Sequence, residues 1–225
     1  ILDLPSPEYT QLMSDITAFM EPKTKKLFDA FGFLYKRSCL LGGAPGTGKT
    51  VLINRISEKV VAMGGIVLVS PNPYECRGLL DALDATQPDV LKLVIFEEFD
   101  RFFEYEDEDT EQILSLLDGG IQSANVMYMA TTNYLEKIPA RIKRPGRFST
   151  VINMQMPNAE ARKCYLESKV GNEAGLDAWV SDTEGLSIDE LKETVLAHKC
   201  LGQNLDLIIR RIKKTRPEID EEDID

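Results

Sequence analysis

Histidine and tryptophan each occur once in this 225-residue chain, and no apolar run is long enough to span a bilayer. The single His198 falls on a helical stretch and reads as a surface or packed residue. Four cysteines, Cys39, Cys76, Cys164 and Cys200, are far apart, with neither metal-ligand nor redox spacing. That excludes a disulfide framework and points to reduced thiols in a cytoplasmic compartment. Positive charge is in deficit: the formal net charge is −11, which argues against a general electrostatic grip on nucleic acid. A local basic strip, Arg210, Arg211, Lys213, Lys214 and Arg216, reads as a solvated helix end facing the acidic tail 218–225. Low-complexity tracts and repeats are missing, and the opening Ile-Leu-Asp-Leu-Pro has no basic signal-peptide region. A first residue other than Met points to an N-terminal segment lying outside this numbering.

What is present is an ordinary globular balance, 43% hydrophobic and 28% charged, on a length suiting one α/β domain plus a smaller satellite. Residues 8–31 carry Leu12, Ile16, Phe19 and Met20 at helical spacing, with Pro22 as a break and a second helical piece at 25–31. Short apolar runs predict strands at 37–41, 66–69, 91–96, 126–130 and 151–156. Helical patterns at 50–63, 77–85 and 110–117 fall between them, and a polar prolyl turn is expected at 70–73. From 158 onward only helices are predicted, at 159–170, 176–180, 188–197 and 204–213. Alternating strands and helices imply a parallel sheet covered on both faces, and the all-helical tail implies a small separate bundle. The expected domains are therefore 1–157 and 158–225.

The Gly43-Ala44-Pro45-Gly46-Thr47-Gly48-Lys49-Thr50 run matches G-x-x-x-x-G-K-[ST] in full, after a strand and before a helix. Such glycines turn backbone N–H groups inward around an anion, and the helix N-terminus adds its positive dipole end. Lys49 is expected to reach the β- and γ-phosphates of ATP, and Thr50 to hold Mg²⁺. The predicted central strand runs into Glu97-Glu98-Phe99-Asp100, and strand C-termini are where an α/β protein places its chemistry. Glu97 is assigned to the Mg²⁺ shell and Glu98 to polarising the attacking water.

From here the chain resembles the AAA family of the AAA+ ATPases, a P-loop sheet sandwiched by helices and followed by a helical lid. Thr131-Thr132-Asn133 resembles the sensor-1 segment, which implies that Asn133 places water near the γ-phosphate. Arg144-Pro145-Gly146-Arg147-Phe148 resembles the second region of homology, preceded by a fitting Ile138-Pro139-Ala140. That resemblance implies that Arg144 and Arg147 reach a neighbouring subunit's γ-phosphate, hence a homo-oligomer, a six-membered ring, acting on a protein partner. The order of motifs covers residues 12–200.

Three departures qualify the likeness. Glu97 stands where most members have Asp, and the extra methylene carries the carboxylate about 1.5 Å farther out. Hydrolysis is then slow, or the two glutamates divide their roles differently. The connection 70–92 is short and lacks the aromatic-glycine pore loop of threading members, with Tyr74 as a packed residue of the prolyl turn. Together with Phe33-Leu34-Tyr35-Lys36-Arg37, this resembles the branch that includes the mitochondrial Rieske-protein translocase. Ile188 and Asp189 stand where the sensor-2 segment normally has a Gly-Ala pair. An acidic stretch at 104–111 reads as a solvated loop, with a pore-facing ring as the sharper alternative. The leading expectation is a remodelling ATPase. The alternative is a slow or inactive nucleotide-gated scaffold, and a small-molecule kinase leaves Asn133 and the arginines without purpose.

Overall fold

A computed structural model describes residues 6–69, 72–103, 107–118, 123–172 and 175–215. By contact, the chain divides into two compact units, Pro7–Gln155 and the residues from Met156 on.

The first unit is a five-stranded sheet, all parallel, in the order β2-β3-β4-β1-β5. Its strands are β1 (Lys36–Gly42), β2 (Ile66–Val69), β3 (Lys92–Phe96), β4 (Val126–Thr131) and β5 (Thr150–Asn153). β3 and β4 are buried along their whole length, which is why they read as largely apolar runs, and the buried Lys92 at the start of β3 is paired with Asp84. Edge strand β2 is only half-buried.

The two-residue side-chain period of the strands sorts the core into two halves. Cys39, Leu41, Leu93, Ile95, Met127 and Met129 join one cluster, with α1 (Pro7–Met20) and α3 (Lys49–Ala62) packed on it. Leu40, Val94, Phe96, Val126, Tyr128 and Ala130 join the other, beneath α4 (Pro73–Thr86) and α5 (Asp107–Asp118). Each large apolar side chain so buried contributes roughly 1.5–3 kcal/mol. α1 is pinned through Phe19, whose ring stacks on Tyr35 at 4.3 Å and whose carbonyl accepts the Tyr35 hydroxyl. α2 (Pro22–Ala30) follows at the Pro22 break.

Three local expectations are corrected. α4 begins at Pro73 rather than at 77, because proline suits a first helical turn, where its missing N–H costs nothing. The backbone of Tyr74 is therefore helical, while 70 and 71 lie outside the described residues. β5 ends at Asn153, short of 156. A tight helical turn, Phe99–Phe103, follows β3 where none was expected.

The second unit holds α6 (Ala159–Val170), α7 (Leu176–Asp182), α8 (Ile188–Val195) and α9 (Leu205–Lys214). Asn158 caps α6 by accepting from the Ala161 N–H at 2.8 Å, and Asn204 caps α9 in the same way. Ser187 and Glu190 form a reciprocal capping box at the start of α8. The expected sensor-2 segment is thus a capped helix start, with Ile188 facing the bundle core. A wider helical turn at Leu196–Cys200 carries His198, which packs edge-on against Trp179. Within the basic strip, residues 210–214 lie on α9, while Arg216 and 218–225 fall outside the described residues, as do 104–106 of the acidic stretch. Among the described residues no helix is long and apolar enough to cross a membrane.

Candidate functional site

In this strand order the chain leaves β1 toward β2 on one side and leaves β4 toward β5 on the other. The carboxyl ends of β1 and β4 therefore border a topological switch point, the usual crevice for a ligand in such sheets. β3 lies next to β4, with Phe96 level with Ala130, and Leu41 of β1 is level with Thr131. The Gly43–Thr50 run, the acidic turn after Phe96 and the Thr131–Asn133 segment thus leave the same edge of three adjacent strands.

The loop after β1 is shaped by its glycines. Gly43 has φ 138°, and a Cβ there would lie 2.4 Å from the Met154 carbonyl oxygen, so no other residue fits without displacing β5's exit. Gly46 and Gly48 have φ 76° and 97°. Thr47 braces the turn through bonds to the Ala44 carbonyl, 2.9 Å from its hydroxyl and 3.4 Å from its N–H. Gly48 then opens α3 with no side-chain cap, leaving the first-turn N–H groups without intrahelical partners. Ala44 and Pro45 form the outer part of this loop, and Thr50, on the first turn, is exposed.

Lys49 is 8% exposed and folds back over the loop, its Nζ donating to the carbonyls of Gly43 at 2.5 Å and Ala44 at 2.9 Å. Burial lowers its pKa, and the nearby Asp100 carboxylate works in the opposite direction. The glycine-turned loop, the open helix end and the seated ammonium form a set of anion-recognising groups.

Glu97 and Glu98 are both exposed. Glu98 has a left-handed backbone, φ 51°, uncommon for a residue with a Cβ. Its carboxylate pairs with Arg101 at 2.8 Å. Among the described residues there is no cluster of three or more acidic, histidine or cysteine side chains able to hold a metal by itself. Oxygen donors from Thr50 and Glu97 fit Mg²⁺ all the same, since that ion is usually bound by one or two protein groups with phosphates and water. Asn133 is exposed at the end of β4.

The arginine segment is anchored elsewhere. Phe148 is fully buried in the α4/α5 half of the core and meets Phe99 edge-to-face at 5.2 Å. Arg147 donates from Nε to Asp118 at 3.3 Å and from a terminal nitrogen to the Arg141 carbonyl at 2.6 Å. Arg141 in turn pairs with Glu111 at 3.0 Å. Lys36 ties the same corner by donating to the carbonyls of Leu117 at 2.5 Å and Gly146 at 3.3 Å. Arg144 is exposed; its carbonyl accepts the Arg147 N–H at 3.1 Å, while its side chain has no hydrogen bond or ion pair among the described residues.

One contact escaped the reading of the sequence, between two residues it named only as parts of their segments. Asp100 is 6% exposed and Thr132 1%, and the Thr132 hydroxyl donates to the Asp100 carboxylate at 2.6 Å. Thirty-two positions separate them, so only the β3–β4 pairing reveals the contact.

A sequence profile of the family described as "ATPase family associated with various cellular activities (AAA)" matches residues 39–156. The chain is 26% identical over 216 residues to the Cell division cycle protein 48 homolog of Archaeoglobus fulgidus, which covers 88% of this chain. It is 27% identical over 209 residues to the ATP-dependent zinc metalloprotease YME1L of Drosophila melanogaster, covering 84%. The ATPase family gene 2 protein of Saccharomyces cerevisiae matches at 27% over 198 residues, covering 82%. The chain spans only 28%, 28% and 25% of the lengths of these relatives.

Proposed function

The chain belongs to the ATPase family associated with various cellular activities, and from that premise we propose that it binds and hydrolyses Mg-ATP at the edge of β1, β3 and β4. The observation that carries the reading is the loop Gly43–Gly48, with three left-handed glycines leading into an uncapped helix and a buried Lys49 seated over it. Its N–H groups receive the phosphates, and Lys49 exchanges the Gly43 and Ala44 carbonyls for the β- and γ-phosphate oxygens. Thr50 and Glu97 would hold Mg²⁺ beside those phosphates, where the ion supplies charge neutralisation. Glu98 accepts a proton from the attacking water, which Asn133 orients from the neighbouring strand end.

Arg144 and Arg147 act on the nucleotide of a second copy, where a guanidinium stabilises charge developing on the transferred phosphoryl. Support comes from Arg144, which is exposed and whose side chain has no hydrogen bond or ion pair among the described residues. Such a shared site requires a homo-oligomer, and the likeness to the family makes it a six-membered ring with a protein as the partner it remodels or translocates.

One observation favours a second reading, a slow nucleotide-gated scaffold. The Glu98 carboxylate is engaged by Arg101, and Glu97 is a methylene longer than the aspartate usual in the family. The pair is exposed and stabilises by no more than about 1 kcal/mol, so a bound water competes with it.

The test is Mg-ATP hydrolysis per chain as a function of protein concentration, with Lys49→Ala and Arg147→Ala variants alongside. Specific activity that rises with concentration, and that both substitutions abolish, upholds the ring ATPase. Binding of ATP without hydrolysis at any concentration replaces it with the scaffold.

A further inference from the structure

The residue expected to orient water, Asn133, is itself exposed and holds no described contact that fixes it. Its two neighbours are fixed instead. The Thr132 N–H donates to the Leu41 carbonyl of β1 at 2.9 Å. The Thr132 hydroxyl donates to Asp100 at 2.6 Å and accepts the Tyr134 N–H at 2.9 Å. One hydroxyl therefore grips the chain on both sides of Asn133 and ties it to the acidic turn, two residues beyond Glu98.

The other end of the tie is equally well held. Asp100 sits in the turn Phe99–Phe103, whose first residue is fully buried and packs against Phe96, Phe102 and Phe148. Filling space there requires no charge. A carboxylate taken this far out of water is costly unless it is hydrogen-bonded and paired, and here the Thr132 hydroxyl supplies the bond with the Lys49 ammonium nearby.

We propose that Asp100 and Thr132 are a buried positioning pair that sets Asn133 at a fixed separation from Glu98, so that the water-orienting and water-activating groups keep one geometry. The proposal rests on the ATPase reading of the site. Neither residue touches the reacting atoms: both act through the backbone that carries Asn133 and Glu98. A displacement of a positioned group by an ångström is enough to slow such chemistry by about 100-fold.

The test uses the whole chain with Thr132→Val, which keeps the shape and removes the hydroxyl, and Thr132→Ser, which restores it. Three quantities are read: Kd for Mg-ATP, kcat, and amide hydrogen exchange at Tyr134. The valine variant is expected to lower kcat by about tenfold or more, to leave Kd within about threefold, and to speed exchange at Tyr134. Serine is expected to restore kcat and protection. Wild-type kcat together with wild-type protection in the valine variant overturns the proposal. So does a parallel loss of binding, kcat and melting temperature in both variants, which marks a merely structural residue. Thr132→Ala repeats the test, with the same outcomes, should the valine variant not fold. A wild-type chain that binds Mg-ATP without hydrolysing it defeats the ATPase reading alone. Exchange at Tyr134 then decides the pair: protection lost with valine and regained with serine upholds it, and unchanged protection overturns it.

Discussion

The glycine loop and the arginine turn serve one proposed reaction, yet they hang from opposite faces of the same sheet and are held by opposite means. The loop opens α3, which packs with α1 on the face that carries Leu41 and Ile95. Its shape is set by backbone, through left-handed glycines and the close approach of the Met154 carbonyl, and its charged residue is buried and turned inward. The arginine turn rests on the face that carries Phe96 and Tyr128. It too turns on a left-handed glycine, Gly146 at φ 89°, but it is held chiefly by side chains, with Phe148 as the anchor and Arg147 as the brace, and Arg144 is exposed. The difference teaches that the proposed phosphate cradle draws its groups from one chain, whereas the arginine half exposes a charge whose side chain has no ion-pair partner among the described residues. That asymmetry is what a site shared between two copies requires.

Substitutions at the two regions should therefore fail in different ways. Phe148→Ala removes the buried anchor of the arginine turn and is expected to cost about 3–5 kcal/mol of stability, read by urea denaturation. A loss below about 1 kcal/mol means that the turn is not held by its core contact. Lys49→Ala is expected to weaken Mg-ATP binding at least 100-fold, about 2.7 kcal/mol, with the far-UV circular dichroism unchanged. Titration calorimetry gives the first number, and retained affinity breaks the account of the loop.

Gly43→Ala attacks the same loop through the backbone. With φ 138° and a contact of 2.4 Å to meet, it is expected to cost about 1–3 kcal/mol and to lower the melting temperature. An unchanged melting temperature shows that the Met154 segment yields. The smallest effects separate the two arginines. Arg147→Ala is expected to destabilise by about 0.5–1 kcal/mol through its lost Asp118 and Arg141 bonds, and Arg144→Ala by less than about 0.5 kcal/mol. Equal losses remove the distinction between brace and free charge.

What the sequence showed plainly was whatever is written contiguously. The apolar runs gave all five strands, because a parallel sheet covered on both faces buries mainly apolar residues in its central strands, the buried Lys92 at the start of β3 being an exception paired with Asp84. The strand–loop–helix around residues 43–50 was legible because its glycines, its lysine and the helix that follows are adjacent in the chain. The turn Phe99–Phe103 was not, since an aromatic-rich pentad follows neither a helical nor a strand period. Pro73 was misread as a turn because proline signals both a break and a helix start. The bonds Asp100–Thr132 and Arg147–Asp118 join residues 32 and 29 positions apart, and only the tertiary fold brings them together. Composition gave no hint that Arg144 and Arg147 differ, because their difference lies in which neighbours each one meets.

The most direct test mixes two defective chains. Lys49→Ala lacks a working phosphate cradle but keeps Arg144, while Arg144→Ala keeps the cradle and lacks the free arginine. Each alone is expected to hydrolyse at least tenfold more slowly than the wild type. If the site is shared between copies, an equimolar mixture regains a substantial fraction of wild-type Mg-ATP hydrolysis, because the cradle of one variant then faces the arginine of the other. A mixture no faster than the sum of its parts contradicts a shared site and returns both halves to a single chain.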